Sequence, residues 1–163
     1  ELHVSRSLRK RLRSGVMTVI ADRAFADVMA GCAEPRADAD GTWITPAITH
    51  AYARLHRPGH AHSIEGWSGD ELVAGLYGVA IGRVFFGESM FTRVTDASKA
   101  AYAALLGMLG RLGFSMVDCQ QSTGHLASPG AREISRAEFL GRLRLLCRIP
   151  GPDWREVTIA WPV

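Results

Sequence analysis

Three apolar-rich runs separated by short polar turns occupy the middle of the chain, and they constrain the fold more than any other feature. The runs cover residues 62–67, 72–81 and 83–86. The first two are joined by Ser68-Gly69-Asp70-Glu71, which is the chemistry of a hairpin turn, and Gly82 separates the second run from the third. Strands joined by such short turns pair antiparallel. The sequence therefore predicts a central antiparallel meander, followed by a loop over 87–93.

Helical patterns and a strand precede the meander. A strand is predicted at 16–21, and Asp22 is a favoured N-cap residue for the helix after it. The apolar positions of that helix follow the 3.6-residue period and are Phe25, Val28, Met29 and Cys32. The pair Thr45-Pro46 combines a capping side chain with proline at the first helical position, which predicts a second helix through about residue 56.

Helix and strand patterns also follow the meander. Thr95 or Asp96 can cap a helix over 97–112, and residues 114–120 have the composition of a buried strand. Ser135 and Glu138 form a capping box for a last helix to about residue 146, and an edge strand is predicted at 157–161. These elements predict one α+β domain over 1–149, which begins with a basic arm at 1–15 and is followed by a tail at 150–163.

The positive charge is concentrated in that basic arm. Residues 1–15 hold five basic residues and one acidic residue, whereas the other 148 hold fourteen basic and fifteen acidic residues. The cations of the arm are Arg6, Arg9, Lys10, Arg11 and Arg13. Such a run is usually a solvated face, but contact with nucleic acid phosphates explains better why the cations cluster in an otherwise neutral protein. Trp43 is either a core aromatic, the commoner case, or a platform for a stacked base.

Several classes of protein are disfavoured. No stretch approaches the roughly 18 apolar residues of a membrane span, and no secretory leader is visible. The cysteines, which form neither an even set nor a CxxC pair, are Cys32, Cys119 and Cys147. His60, His62 and Glu65 come nearest to a metal site, but two histidines without a third convergent ligand are more often structural. We expect a cytoplasmic protein without metal or another cofactor.

Two short segments carry side chains suited to chemistry. In Asp118-Cys119-Gln120, strand alternation puts Asp118 and Gln120 on one face, where the carboxylate could orient the amide toward a ligand. The alternative is a solvated strand end. Cys119 points to the other face, and a core thiol is favoured there over a nucleophile. Glu88 lies among apolar neighbours and is either a paired structural charge or a receptor for a cationic substrate group.

Seven short motifs occur in a characteristic order along the chain. They are H-V-S-R-S-L at 3–8, T-W-I-T at 42–45, H-A-H-S-I-E at 60–65, L-Y-G-V-A at 76–80, G-E-S-M-F at 87–91, A-S-K at 97–99 and V-D-C-Q at 117–120. In this order they resemble the leucyl/phenylalanyl-tRNA–protein transferases of bacteria, from about residue 3 to residue 146. The most specific part is G-E-S-M-F followed by D-C-Q.

The resemblance implies a fold and an activity. The fold would be GNAT-like, the acyltransferase fold with a mixed, mostly antiparallel sheet flanked by helices. The enzyme would move Leu or Phe, with Met as a further candidate, from aminoacyl-tRNA to the α-amino group of proteins that begin with Arg or Lys. The product would be an N-degron that directs protein degradation. The protein would act as a monomer, without a membrane.

The same resemblance implies roles for individual residues. The pocket for the aminoacyl side chain would be lined by Leu76, Met90 and Phe85. The catalytic residues would be Glu88, Asp118 and Gln120, with Asp118 polarising Gln120. Trp43 would contact the terminal adenosine, and the basic arm would hold the acceptor-stem phosphates.

Three departures from the family pattern are visible. The chain lacks the family's usual N-terminal segment with its tryptophans, so we expect an incomplete adenosine site and uncertain activity. Pro129 stands where Leu is usual, which is expected to bend the loop beside the active strand. Leu76 is often Met in relatives, a nearly volume-conserving change that is expected to shift preference among Leu, Phe and Met.

Two other functions remain open. A GNAT-type N-acetyltransferase using acetyl-CoA is the main rival, although residues 92–98 lack the glycines that such enzymes generally place before the central helix. The second rival is a truncated homologue that binds tRNA or peptide without catalysis. Transfer of leucine from charged tRNA separates the three hypotheses.

Overall fold

The computed structural model of the chain describes residues 17–35, 41–120 and 131–154. Within these ranges, one five-stranded sheet is accompanied by four helices. The strands are β1 (Thr18–Ala21), β2 (Ala61–Ser68), β3 (Glu71–Ile81), β4 (Val84–Thr92) and β5 (Met116–Asp118). The helices are α1 (Phe25–Ala33), α2 (Pro46–His56), α3 (Ala97–Arg111) and α4 (Arg136–Leu146). The basic arm, Pro129 and the edge strand predicted at 157–161 lie outside the described residues.

The sheet has the strand order β1-β2-β3-β4-β5. Its first three pairings are antiparallel, and β5 is parallel to β4. A parallel neighbour requires a crossover connection, which α3 supplies between β4 and β5. The predicted meander, the α+β class and the mixed, mostly antiparallel sheet with helices beside it are confirmed.

Helices cover both faces of the sheet, so that alternate strand residues enter two separate cores. On the side of α3, which we call the α3 face, the buried cluster includes Ile64, Leu76, Phe85, Tyr102 and Leu105. On the opposite side, the α1 face, the buried cluster includes Phe25, Val28, Met29, Cys32 and Tyr77. Burial on both faces explains the near-continuous apolar runs of the meander.

The last two strands differ in length from the prediction. The loop predicted at 87–93 is wrong, because β4 continues through Thr92. Its pairing with β3 contains a bulge: Tyr77 is opposite Ser89 and Gly78 is opposite Gly87, which leaves Glu88 as the extra residue. A bulge interrupts the alternation of apolar and polar positions, so the sequence pattern resembled a loop. The strand predicted at 114–120 is shorter and ends at residue 118.

Asp22 does not cap α1, although the sequence favoured it. The N-cap is Ala24, and Asp22 has a left-handed backbone with φ of 56°. This conformation turns its carboxylate toward β2, where it accepts the Ser63 backbone N–H at 2.8 Å and lies 2.7 Å from His62 Nδ1. A contact distant in sequence therefore replaces the local cap.

Two other predicted helix starts are confirmed. The Thr45 hydroxyl accepts the Ile48 N–H at the start of α2, and the Ser135 hydroxyl accepts the Glu138 N–H at the start of α4. At the start of α3, Asp96 occupies the N-cap position in a left-handed conformation, with no side-chain capping bond. The local sequence therefore predicted the N-cap correctly where no distant group competed for the capping side chain.

Candidate functional site

The sheet divides between β4 and β5. The two strands pair only from Val84 with Met116 to Phe86 with Asp118, and β4 then continues alone to Thr92. The backbones are still close at the point of division, because a Cβ on Gly87 would lie 3.6 Å from the Asp118 carbonyl oxygen. Beyond this point, which we call the β4–β5 split, the outer edge of β4 is not paired with β5.

The three residues predicted to line a pocket lie together on the α3 face. Leu76 of β3 is directly opposite Met90 of β4, and Phe85 belongs to the same buried cluster. Leu76 and Phe85 are buried, whereas Met90 is half-buried against the cluster. The least covered of the three is thus on the part of β4 that extends past the split.

Asp118 and Gln120 contact one another through the main chain. The Asp118 carboxylate oxygen Oδ1 accepts the Gln120 backbone N–H at 2.9 Å. Gln120 has φ of 61°, a left-handed conformation that ends the extended chain just after β5. The sequence predicted a contact between the carboxylate and the side-chain amide on a continuing strand. The structure has a tight turn instead, with Gln120 exposed at its end.

Glu88 lies on the α1 face, where it accepts a hydrogen bond from the Tyr52 phenol of α2. Burial raises the pKa of Tyr52, and this hydrogen bond and the charge of Glu88 raise it further. Burial likewise raises the pKa of Tyr77, with smaller contributions from Cys32, Tyr52 and Glu88. Both phenols remain protonated at neutral pH, and in the described ranges the bulge residue Glu88 is bound by a neutral donor and forms no ion pair.

The two carboxylates share a sheet face. Asp118 pairs with Phe86, while its neighbour Val117 packs on the α3 face, so alternation directs Asp118 to the α1 face. Glu88 is two residues beyond Phe86 on β4. The structure thus places the predicted pocket residues on one side of the sheet and the predicted carboxylates on the other, with the split between them.

Cys119 packs against the α3-face core, as alternation predicted. Its sulfur lies 3.2 Å from the hydroxyl oxygen of Tyr102, which is on α3 and only 8% exposed. Sequence reasoning missed Tyr102, because a tyrosine within the alanine- and leucine-rich run of α3 has no local pattern to distinguish it. Its polar contact joins residues seventeen positions apart.

Trp43 is 52% exposed, so the core aromatic favoured by its residue type is wrong. Its neighbour Ile44 is buried on the α1 face instead. Two hydrogen bonds fix this turn: the Thr42 hydroxyl accepts the Ile44 N–H at 3.1 Å, and the Trp43 carbonyl accepts the Thr45 N–H at 3.0 Å. The indole is left with an accessible aromatic surface next to α2.

His62 and Glu65 are occupied by contacts within the protein. His62 is buried, stacks on Trp154 with ring centroids 3.7 Å apart, and has Nε2 3.0 Å from the Gly59 carbonyl oxygen. Glu65 is buried and accepts three hydrogen bonds, from the Ala24 N–H, the Ser63 hydroxyl and the Trp67 indole N–H. Among the described residues, no three potential metal ligands lie close enough together to hold an ion.

A groove of about 540 Å³ opens at the other end of β3. Its lining includes Leu55, Val79, Ile81, Pro152 and Trp154, and it contains none of the residues predicted to form the site. In the parts of the chain that the structure describes, no helix has the length and apolar character to cross a membrane.

Comparison with known proteins gives consistent matches. A family model described as leucyl/phenylalanyl-tRNA protein transferase matches residues 1–144. A leucyl/phenylalanyl-tRNA–protein transferase of Stutzerimonas stutzeri is 56% identical over 156 residues, which are 95% of this chain and 69% of the relative. The protein of that name from Syntrophobacter fumaroxidans is 61% identical over 141 residues, or 86% of this chain and 60% of the relative.

A solved structure also matches. It is a ribosomal-protein-alanine N-acetyltransferase from Brucella melitensis biovar Abortus 2308, with a TM-score of 0.46 and 13% sequence identity. The match covers 90% of this chain and 99% of that chain. This chain spans 69% of the length of the first of the two transferases above and 60% of the second.

Proposed function

This chain belongs to the leucyl/phenylalanyl-tRNA–protein transferase family, and on that basis we propose that it moves Leu or Phe from aminoacyl-tRNA to a protein that begins with Arg or Lys. The product would be an N-degron. The observation that carries the proposal is the convergence of the two most specific motifs at the β4–β5 split. G-E-S-M-F supplies Glu88 and Met90, and D-C-Q supplies Asp118 and Gln120.

The proposed reaction needs alignment more than strong acid or base. The acceptor amine attacks the ester carbonyl carbon, the amide bond forms, and the bond to the tRNA 3′-terminal oxygen breaks. The proton lost by the amine ends on that oxygen. An α-amino group has a pKa of about 7.7–8.0, so an appreciable fraction is already nucleophilic at neutral pH. Holding amine and ester in line can contribute up to roughly 7–11 kcal/mol.

The β4–β5 split offers a place for the charge that develops. The pairing of β4 with β5 ends at Phe86 and Asp118, and we place the reacting ester carbonyl there, next to the Asp118 carboxylate. The aminoacyl side chain would pack on the α3 face against Leu76, Phe85 and Met90. Its amide-forming end would then lie at the split, beside Asp118.

The carboxylates on the α1 face suit a cationic acceptor. Glu88 accepts a hydrogen bond from the Tyr52 phenol and forms no ion pair with a cation among the described residues. It would therefore attract the positively charged N-terminal residue of the acceptor. We assign Gln120 to orient the amine through its side-chain oxygen, because a neutral amide is a poor proton acceptor but a good hydrogen-bond acceptor. Asp118 would act on Gln120 through the backbone N–H that it binds, and through its own charge near the amine.

The direct test is transfer of radiolabelled leucine from leucyl-tRNA to a peptide that begins with Arg. We expect incorporation into this peptide and none into the same peptide acetylated at its N-terminus. Binding of the charged tRNA without incorporation would support the binding homologue. Acetylation of the peptide from acetyl-CoA, without transfer from tRNA, would contradict the proposal in favour of the acetyltransferase.

Trp43→Ala is expected to weaken binding of leucyl-tRNA about tenfold, since loss of one base–aromatic stack costs roughly 1–3 kcal/mol. Because the indole is 52% exposed, the thermal midpoint should change little. Filter binding and thermal unfolding measure the two quantities. Leu145→Ala, at a 71% exposed apolar residue of α4, is the matched control and should leave affinity unchanged. A lower midpoint with normal affinity would make Trp43 structural.

Neutralising the basic arm should flatten the salt dependence of tRNA binding. Replacing its five cations with glutamine removes up to five phosphate contacts, each of which contributes about 0.7–0.9 to the slope of log K against log salt. Titrations at several salt concentrations measure the slope. Arg136→Gln and Arg144→Gln, at exposed positions on α4, are the controls. If each substitution in the controls changed the slope of log K against log salt as much as each substitution in the arm, the arm would have no special role in tRNA binding.

A further inference from the structure

The hydroxyl of Tyr102 makes a polar contact inside an otherwise apolar core. Tyr102 is on α3, in the cluster that contains Leu76 and Phe85, and its hydroxyl oxygen lies 3.2 Å from Cys119 Sγ. Burial raises the pKa of this phenol, and its hydrogen bond with Cys119 raises it further. The phenol is therefore neutral, and separating it from the sulfur would leave a buried hydroxyl without its partner.

The segment joined to Tyr102 is short and strained. Strand β5 has three residues and pairs with β4 alone among the described strands. Gln120 then adopts φ of 61°, which is unfavourable for a residue with a side chain. Such conformations persist where surrounding contacts over-determine them. Two contacts do so here, the Asp118 carboxylate on the Gln120 N–H and the Tyr102 hydroxyl on Cys119.

These two contacts act from opposite faces of the sheet. Asp118 lies on the α1 face, and Cys119 between it and Gln120 faces α3. A hydrogen bond at Cys119 therefore fixes the middle residue of the turn, and with it the residues on either side. Without this bond, β5 could shift away from the edge of β4, because only three residue pairs hold the strands together.

We propose that Tyr102 is a positioning residue, whose hydroxyl binds Cys119 and thereby holds Asp118 and Gln120 against the β4–β5 split. The proposal rests on the transferase function proposed above. Tyr102 reaches the reacting groups only through Cys119, and its ring also forms part of the core beside Leu76. Phenylalanine keeps that ring, so Tyr102→Phe removes only the hydrogen bond between the Tyr102 hydroxyl and Cys119, which we call the Tyr102–Cys119 tether.

Kinetics of the full chain provide the first test. Tyr102→Phe should lower kcat for leucine transfer about tenfold, with the KM for leucyl-tRNA changed less than twofold, since the loss of one hydrogen bond is a factor of that order. Cys119→Ala should do the same, whereas Cys119→Ser keeps a hydrogen-bonding atom and most of the activity. The double variant Tyr102→Phe/Cys119→Ala should be no slower than the slower single variant, because both remove the same contact.

The second test needs no turnover. The rate at which Cys119 reacts with a maleimide, followed by mass spectrometry, should rise several-fold in Tyr102→Phe, because the thiol is released and its segment loosens. Cys147, also half-buried, is the internal control and should react at an unchanged rate. If Cys119 reacts faster in Tyr102→Phe than in the parent chain, but the parent chain transfers no leucine, the proposed function is overturned and the Tyr102–Cys119 tether is supported.

Three results would overturn the positioning role. One is a Tyr102→Phe variant with the kcat and Cys119 labelling rate of the parent chain. Another is a double variant whose kcat loss is the product of the two single losses, since independent effects exclude a shared contact. The third is a fall in kcat that follows a fall in the thermal midpoint across all variants, which would make Tyr102 only a core residue.

Discussion

Asp118→Asn is expected to lower kcat for leucine transfer about 100-fold, while the affinity for leucyl-tRNA stays within twofold of the parent chain. Asparagine keeps an oxygen that can accept the Gln120 N–H, so the turn after β5 should be retained. The substitution removes the negative charge. As the acceptor amine attacks the ester, its nitrogen becomes positive, and a carboxylate at the split stabilises that charge in the transition state more than in the ground state.

Single-turnover transfer and equilibrium tRNA binding measure the two effects of Asp118→Asn. Asp70→Asn, at an exposed aspartate in the β2–β3 turn, makes the same chemical change far from the split and should have parental kcat. Asp118→Ala should be slower than Asp118→Asn, because it also releases Gln120 from its left-handed turn. Unchanged turnover in Asp118→Asn would remove the charge from the mechanism.

The parts of the fold that follow from the sequence are those set by neighbours in the chain. The meander follows from the turn at 68–71 and from Gly82, which has φ of 59° in the tight β3–β4 turn. The start of α2 follows from Thr45 and the proline after it. In each case the deciding interactions span only a few residues, so a local pattern contains all the information that is needed.

Other features depended on contacts that no local pattern contains. Asp22 binds β2, about forty residues away, rather than the start of α1. The bulge at Glu88 is decided by register with β3, and the end of β5 by the backbone of Gln120. Trp43 is exposed because Ile44 takes the buried position. These interactions form only once the sheet is assembled, which is why composition and periodicity did not indicate them.

The candidate site shows the same division. The motifs predicted a group of residues, and the sheet pairs two of them, Leu76 of β3 with Met90 of β4, while Asp118 pairs with Phe86 where β4 and β5 separate. Their division between the two faces was not predicted. It follows from the bulge and from strand alternation, which no local sequence pattern contains.

Glu65→Ala is expected to destabilise the chain by about 4 kcal/mol or more, the largest stability effect we predict. Glu65 is fully buried and accepts the Ala24 N–H and Ser63 hydroxyl through Oε1 and the Trp67 indole N–H through Oε2. Its removal leaves three donors unpaired, each at a cost of roughly 1–3 kcal/mol, and creates a cavity besides. The free energy of unfolding of a native protein is only about 5–15 kcal/mol, so we expect Glu65→Ala to unfold at a much lower urea concentration than the parent chain.

Glu65→Gln separates the hydrogen bonds from the loss of volume. Its side-chain oxygen can still accept from Ala24 and Ser63, but its amide N–H₂ would then face the Trp67 N–H, donor against donor. We therefore expect the free energy of unfolding of Glu65→Gln to lie between that of the parent chain and that of Glu65→Ala. Added Zn²⁺ should leave the urea midpoint of the parent chain unchanged. No effect of Zn²⁺ is expected because the Glu65 carboxylate already binds three protein donors. A rise of the urea midpoint with Zn²⁺ that Glu65→Gln abolishes would instead make Glu65 a metal ligand.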